Sequence, residues 1–514
     1  MQLLKNVTTG WMAFIIQVLV VLFITPFVIN TLGKGLYGVW ALVVSVMTFL
    51  NILDLGITSA MRRYYSRAIG QNDPEQQLKV FNTSLVMFLL ISALCLTLTL
   101  ALTKWGSSFF EIQSNYNHLF GSLLMIFGLA MSMTFLCKSW GGILGAHERY
   151  EIIYGLQIVW SILNGLTTYM VLKAGFGISG MAWGYLGCAI GRNLSEVLST
   201  YALYPSKIKI SLRYAERSLL SALIGYSWVT AFIIICDYLR GHMNTLMVAW
   251  FSKTEDITYY AIAMQFTGYF VHIVRVANIT FVPRLSRLEG EADWACLRNE
   301  LMRGIRMNSA ITFFVAVSLW FYAAHFLNLW LDPSFYVSYR LLQIILPAAA
   351  VGLGLGLITS LLYATSKHSI YAKISAFEVT VDICSSVVLL KLIGVYGAAW
   401  GTLIAIITVR FWFMLAAGIR VSGIPMRHFL LEGFSRSLSF GCMYALASGT
   451  IALLTGNLVT SWFGFILSSL VAAFTGTILF VFIVVKPLER QEIFLRVKSL
   501  FYQYRHSSSS SSSL

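Results

Sequence analysis

The sequence predicts an all-α polytopic membrane protein, and three observations support this. Of its 514 residues 58% are hydrophobic and only 11% charged, whereas a soluble domain carries about 25% charged residues. So few charges cannot coat a water-exposed surface of this size, and the mean hydropathy is +0.76. Apolar stretches run to roughly 20 residues, the length of a helix that crosses the hydrocarbon core, without the two-residue alternation of a barrel strand. Lysines and arginines gather in the connections between those stretches. Eight prolines and the high apolar content exclude a collagen-like or disordered chain.

About fourteen transmembrane helices follow in order. Lys5 precedes the apolar run from Trp11 to Ile29, which lacks a small-residue cleavage pattern, so 11–30 reads as a retained first span. Five more are expected at 37–60, 80–103, 119–140, 152–172 and 178–203. A second six lie at 219–240, 259–282, 305–327, 341–363, 370–390 and 395–418, and a final pair at 437–455 and 460–485. The long connections near 61–79, 204–218 and 284–304 are basic. With the N-terminus inside, 26 of the 36 Lys and Arg lie in inside segments and seven in outside ones. That asymmetry puts both termini in the cytoplasm and accounts for most of the +15 net charge without a nucleic-acid partner. The seven cysteines show no CxxC or Cys/His spacing and read as small buried hydrophobes.

The chain repeats itself. Gly177-Ile-Ser-Gly180-Met-Ala-Trp183-Gly184 returns as Gly394-Val-Tyr-Gly397-Ala-Ala-Trp400-Gly401, an offset of 217. Leu123-Leu124 matches Leu341-Leu342, and Leu172-Lys173 matches Leu390-Lys391, both at 218. Trp11-Met-Ala-Phe-Ile-Ile parallels the segment from Trp228 to Ile234 with one insertion. A unit of six spans is even, so the two copies are expected to be parallel six-helix repeats about an axis along the membrane normal, with substrate between them. The expected divisions are an N-terminal bundle of 1–217, a C-terminal bundle of 218–425, two extra helices in 426–490 and a cytoplasmic tail of 491–514. His506 and the serines that follow it are low-complexity and carry no assigned role.

Ionisable side chains inside spans cost about 2.5–3.5 kcal/mol each near a helix centre, so each needs a partner or a task. On the second span Ser45, Thr48, Asn51, Asp54 and Thr58 form one helical stripe; on the eighth Gln265, Tyr269, His272 and Arg275 do the same. The eleventh carries Ser375, Glu378, Asp382 and Ser385, with Lys373 near its cytoplasmic end, and the sixth and twelfth carry Arg192 and Arg410. The functional interpretation is a polar cavity in which Arg275, Arg192, Arg410, His272 and Lys373 hold an anionic head group, since the planar guanidinium fork matches phosphate oxygens. Asp54, Glu378 and Asp382 are then the candidates for ion coupling, because two acids one turn apart can share a proton. Each has a plainer structural alternative. Asp54 and Arg275 are near enough to their span ends to snorkel, Arg192 has Glu196 one turn on, and Arg410 can pair across helices. Asp237 and Arg240 read as an interfacial pair, and Tyr64, Tyr65 and Arg67 as an interfacial belt. Gly352, Gly354 and Gly356, like Gly141 and Gly142, suit hinges and close helix packing equally.

No GxxxxGK[ST] run, zincin motif, nucleophile elbow or metal cluster occurs, so neither a cofactor nor a metal is expected. The segment Pro26-Phe-Val-Ile-Asn-Thr-Leu-Gly33-Lys-Gly-Leu-Tyr37-Gly38-Val-Trp40, then Leu53-Asp54-Leu55-Gly56 and Arg63-Tyr64-Tyr65, resembles the polysaccharide-biosynthesis (Wzx-type) flippases of the multidrug/oligosaccharidyl-lipid/polysaccharide exporter superfamily. The motif block covers about the first 85 residues and the six-plus-six-plus-two plan the whole chain. The resemblance implies a transporter rather than an enzyme, in a bacterial inner membrane. It moves an undecaprenyl-pyrophosphate-linked oligosaccharide from the cytoplasmic to the periplasmic leaflet by alternating access. It also implies membrane lipids and other glycan-assembly proteins as partners, cavity arginines at Arg275, Arg192 and Arg410, and Asp54 as their partner. A cation-coupled small-molecule exporter of the same superfamily usually carries an acid on its first span, where this chain has only Gln17 and Asn30. The lipid II flippase branch places arginines on its first two spans, and none precedes Arg62 here. A membrane-embedded glycan-assembly enzyme is the alternative of a different class, with Asp237, His242 and His325 as its candidate groups.

Overall fold

In hydrocarbon every backbone N–H and C=O must be paired within its own segment, so long apolar stretches fold as helices. The computed structural model describes residues 2–109, 116–205, 208–279, 281–456, 460–487 and 489–491, and among them it holds helices and turns and no strand. The expected tail of 491–514 lies outside them except for Gln491. In chain order the helices are α1 (Gln2–Leu32), α2 (Lys34–Leu50), α3 (Ile57–Gly70), α4 (Pro74–Phe109), α5 (Asn117–Ala146), α6 (Tyr150–Lys173) and α7 (Gly177–Leu203). Next come α8 (Arg217–Phe251), α9 (Thr254–Ile279), α10 (Phe281–Gly290), α11 (Trp294–Trp330), α12 (Tyr336–Gly354), α13 (Gly356–Ala364) and α14 (His368–Ile393). The last are α15 (Tyr396–Ala405) and α16 (Phe411–Ser422), joined by the π-helical turn Ile406–Arg410; α17 (Met426–His428) and α18 (Ser435–Thr455), joined by another at Phe429–Phe434; and α19 (Trp462–Leu479).

Ten helical stretches among the described residues are long and apolar enough to cross a membrane. Four other long helices, α7, α8, α9 and α14, of 27, 35, 26 and 26 residues, carry most of the ionisable groups singled out above. Large side chains such as Leu453 (86%) and Phe463 (78%) lie exposed while Asn244, Glu378 and Asp382 are buried. A water-soluble surface reverses that order; an outer wall that faces lipid requires it.

The structure corrects two expected spans. The second, 37–60, breaks after α2: Asn51–Asp54 form a 3₁₀ turn, and Leu55 (φ 47°) and Gly56 (φ 77°) are left-handed. The Asp54 carboxylate accepts hydrogen bonds from the Thr58 N–H (3.0 Å) and hydroxyl (2.7 Å), so it caps α3. The stripe from Ser45 to Thr58 is therefore not one helical face. The tenth breaks at Leu355 between α12 and α13. Both α3 and α10 lie in connections expected to be loops. On α3, Ile57, Met61 and Tyr65 are buried while Arg63 and Arg67 face out. Tyr65 sets its ring edge-on to His147 at 6.1 Å, so it belongs to the core and not to an interfacial belt.

The repeat is written into the backbone as well. Asn72 (φ 53°) and Ala292 (φ 55°) each take the left-handed conformation just before a capping aspartate. Asp73 then accepts from the Gln76 N–H at 2.9 Å, and Asp293 from the Cys296 N–H at 3.0 Å. Glu148 (φ 58°) pairs in the same way with Ser366 (φ 55°), and Gly177 (φ 60°) with Gly394 (φ 63°). Non-glycine residues seldom adopt this conformation, so its recurrence at matching positions is a strong sign of duplicated structure.

The chain divides into two compact units, residues 1–262 with 375–401, and residues 263–374 with 402–514. Thus α8, the first helix of the second repeat, lies in the unit that holds the first. In the first unit Asn82 and Thr83, buried on α4, anchor the connection that follows α7. Asn82 donates to the Lys209 carbonyl and accepts from the Ser211 N–H, both at 2.9 Å, and Thr83 accepts from the Glu216 N–H at 3.1 Å. In the second unit the extra helices are built onto α11. Tyr444 of α18 stacks on Phe314 (5.0 Å) and meets Ser318 with its hydroxyl (2.8 Å). A Cβ added to Gly476 of α19 would lie 2.6 Å from each of those two rings, so the glycine seats them. Cys95 and Cys236 are buried, but Cys384 and Cys442 are exposed, which corrects the expectation that the cysteines are uniformly interior.

Candidate functional site

The polar groups of the first unit fall into three clusters. The first lies at the α2–α3 break. Lys138 of α5 reaches Asp54 with its ammonium 2.6 Å from Oδ2, over the ring of Phe135 at 4.5 Å. Asp54 therefore pairs with a lysine, not with one of the arginines that the resemblance named for it. Lys138 lies three residues after Phe135, within the expected span 119–140, so it is a lysine inside a span that needs a partner.

The second cluster spans α3, α5 and α7. Arg192 is exposed, and the neighbouring Asn193 donates to Thr134 Oγ1 of α5 at 3.1 Å. Glu196 lies within electrostatic reach of both Arg192 and Arg62, so it is shared by two cations and is not the private partner of Arg192. A Cβ on Gly141 would lie 1.9 Å from Glu196 Oε1, on Gly142 2.5 Å from Met61 Sδ, and on Gly145 2.7 Å from Arg62 Nε. Between the two uses left open for Gly141 and Gly142, those distances select close packing.

The third cluster joins α8 to α14. Glu378 and Asp382 are 2% and 4% exposed. Arg240 of α8 bridges two acids, Asp237 at 3.0 Å and Glu378 at 3.2 Å. Asp382 accepts from Asn244 Nδ2 (3.3 Å) and Ser386 Oγ (3.2 Å). The two acids, with no base between them on α14, thus receive one from α8. Because α8 continues to Phe251, Arg240 and Asn244 lie within it and not at an outer end. The 3 and 4 spacing of Asp237, Arg240 and Asn244 makes a stripe that ending the span at 240 concealed.

In the second unit α9 buries Phe266, Phe270 and Val274 and leaves His272 and Arg275 exposed on one face, with the Gln265 amide donating to the Tyr269 hydroxyl at 3.1 Å. Arg410 closes the π-helical turn, and its Cδ lies 3.4 Å from where a Gly352 Cβ would stand. A π turn widens the helix and re-aims its side chains, and such turns recur at functional positions. Lys373 is exposed near the start of α14. Within each unit exposed cations have the chemistry to meet an anion, and the first unit also buries the carboxylates Glu378 and Asp382.

Comparison with known proteins agrees with this architecture. The model of the polysaccharide biosynthesis protein family matches residues 32–340, more than half of the chain. The Bacillus subtilis membrane protein EpsK is 22% identical over 510 residues, 96% of this chain and 97% of its own. AglR of Haloferax volcanii, provisionally named a flippase, is 25% identical over 57% of each chain. A Shigella flexneri protein provisionally named an O-antigen transporter is 19% identical over 67% of this chain and 81% of its own. Among solved structures, the lipid II flippase MurJ in an inward closed conformation aligns with TM-score 0.71 at 16% identity, covering 94% of this chain and 99% of that one. An inward-facing MATE transporter of the MOP superfamily aligns at 0.68 and 14%, covering 82% and 95%. The fold is theirs, and by the family match over residues 32–340 this polytopic membrane chain belongs to the polysaccharide biosynthesis protein family.

Proposed function

We propose that the protein is a flippase that carries an undecaprenyl-pyrophosphate-linked oligosaccharide from the cytoplasmic to the periplasmic leaflet of a bacterial inner membrane. Fourteen spans, with both termini in the cytoplasm, form two six-helix bundles (1–217 and 218–425) and an added pair (426–490). The diphosphate and first sugars enter a cavity open to the cytoplasm while the polyprenyl tail stays in lipid. Arg275, with Arg192 or Arg410, His272 and Lys373, holds the diphosphate, and rocking of the bundles turns the site outward. Protonation at Asp54 or at Glu378 and Asp382 resets it. Membrane lipids and other glycan-assembly proteins are its partners.

The observation that carries this proposal is the placement of Arg192, His272, Arg275 and Lys373, all exposed on long helices of a chain from a polysaccharide-biosynthesis family. Cations on such helices are costly unless an anion meets them. A cation-coupled small-molecule exporter is the second possibility, favoured by the buried Glu378 and Asp382 and the likeness to MATE transporters. Translocation of a fluorescent polyprenyl-diphosphate glycan in proteoliposomes separates them, with wild type set against Arg275→Ala and folding checked in parallel. Leaflet exchange that falls about tenfold or more in a folded mutant supports the flippase, since losing a charged hydrogen-bond partner costs roughly 1.5–3 kcal/mol. Absence of exchange with any diphosphate lipid overturns it.

A further inference from the structure

The geometry points to Lys138 as a diphosphate-binding cation of the first unit, held at rest by Asp54 and handed to the substrate phosphate on binding. This rests on the lipid-linked diphosphate cargo proposed above and adds a residue and an exchange step to it.

Three observations converge. Lys138 is the exchangeable member of the pair: its side chain is 20% exposed, and its ammonium meets Asp54 Oδ2 at 2.6 Å and the Phe135 ring. An ammonium has three donors, so one remains for an incoming oxygen before the aspartate lets go. Asp54, moreover, has donors other than the lysine. Its carboxylate already accepts the Thr58 N–H and hydroxyl and sits at the N-terminus of α3, where the helix dipole favours negative charge. Finally, Lys138 lies one helical turn beyond Thr134, which is tied to Asn193 beside the exposed Arg192. A lysine and an arginine are thus carried on the adjoining helices α5 and α7.

Two other cations paired within the helices do not share this property. Arg240 is held by the buried Glu378 and by Asp237. Arg306 of α11, 2% exposed, is held by Glu489. Moving either leaves a buried charge uncompensated. Moving Lys138 leaves a capped aspartate. The exchange also has a mechanical consequence. Asp54 directly precedes the left-handed Leu55 and Gly56, and Lys138 ties that break to α5. Substrate that draws Lys138 away removes the one ion pair described between the α2–α3 junction and α5, while the close packing of Met61 and Arg62 on Gly142 and Gly145 remains.

The test measures binding of farnesyl diphosphate to the full chain in detergent by a solution titration, with farnesyl alcohol as the tail-only control. Variants are Asp54→Asn, Lys138→Gln and the double change, each checked for monodisperse folding. Asn at 54 keeps an oxygen for the Thr58 cap and releases the lysine, so affinity rises about fivefold or more; Lys138→Gln lowers it about tenfold, the worth of one charged hydrogen bond. The double variant binds as weakly as Lys138→Gln alone, because the aspartate acts only through the lysine. Unchanged affinity in Lys138→Gln, or weaker binding in Asp54→Asn, overturns the proposal while leaving the diphosphate cargo intact. Wild type that binds farnesyl diphosphate no better than farnesyl alcohol overturns both. If Lys138→Gln does not fold, Asp54→Asn decides alone: it must bind more tightly than wild type.

Discussion

Glu489, just beyond the last span, closes over a buried arginine, and its removal tests whether that clamp holds the second unit together. Arg306 of α11 is 2% exposed, its Nε has no partner among the described residues, and Nη2 donates to Glu489 Oε1 at 2.5 Å. Arg303 approaches the same oxygen at 3.4 Å, and the Lys486 N–H donates to Oε2 at 2.9 Å. Glu489→Ala strands a guanidinium that cannot reach water, a loss of about 3–5 kcal/mol. At less than 2–4 °C per kcal/mol for a chain of this length, thermal unfolding in detergent should fall by roughly 5 °C, compared at one scan rate because such unfolding is often irreversible. Arg306→Leu with Glu489→Leu removes both desolvation costs and should recover most of the loss. The effect also carries a pH signature. Burial pushes the Glu489 carboxyl up, but the Lys486 N–H and the Arg306 and Arg303 charges outweigh it, and its pKa lies below the ordinary value. A depressed carboxylate stabilises the fold fully above its unfolded pKa, about 4.3, and loses that contribution as pH falls through the folded value. The difference between wild type and Glu489→Ala should hold steady from about pH 8 to pH 5 and close below about pH 4. Unfolding of Glu489→Ala within about 1 °C of wild type, or a double variant no better than the single, would refute the clamp.

The two acids bridged by Arg240 should differ sharply. Glu378→Gln, at a 2% exposed site, is expected to cost about 2–4 kcal/mol, and Asp237→Asn, 42% exposed, less than about 1 kcal/mol; paired thermal unfolding scans check the order. Gly38→Ala would place a Cβ 2.2 Å from the Thr254 carbonyl oxygen and 3.0 Å from Thr258 Oγ1, whose hydroxyl donates to the Lys34 carbonyl at 2.6 Å. Since backbone must yield, a cost of about 1–3 kcal/mol is expected, read as a lower unfolding temperature, and an unchanged one contradicts the packing.

What the sequence revealed and what it hid follow one physical division. Helices and the repeat were legible because each is specified locally: apolar length sets a span, and a left-handed residue followed by a capping aspartate sets a turn at Asn72-Asp73 and again at Ala292-Asp293. The break at Leu55 was hidden because the Asp54-to-Thr58 spacing of four serves equally as a helical stripe and as a cap. The seventh span, expected at 219–240, continues to Phe251 past the polar Asn244. Its amide is satisfied by Asp382, 138 residues away, so the helix runs on. Partners of charged groups were illegible for the same reason. Lys138 meets Asp54 across 84 residues, and Arg240 meets Glu378 from another helix. A single helix face shows which ionisable groups need a partner, but only the packing shows which one they have.

That pairing decides what each cation is free to do. Arg240 sits with the buried Glu378, and the buried Arg306 with the half-buried Glu489, and the attraction that offsets their desolvation also fixes them in place. Such groups set the register of helices and cannot be lent to a passing ligand without exposing the fold to the loss. Arg275 and Lys373 are exposed and have no acid partner among the described residues, and Arg192 shares Glu196 with Arg62. An anion that binds these gains attraction without first breaking a buried pair. Lys138 lies between the two kinds, paired but replaceable, because Asp54 has other donors. A carrier must release what it binds, and in the exchange proposed above an aspartate that takes back its lysine acts as a competing anion, which lowers the affinity that release has to overcome.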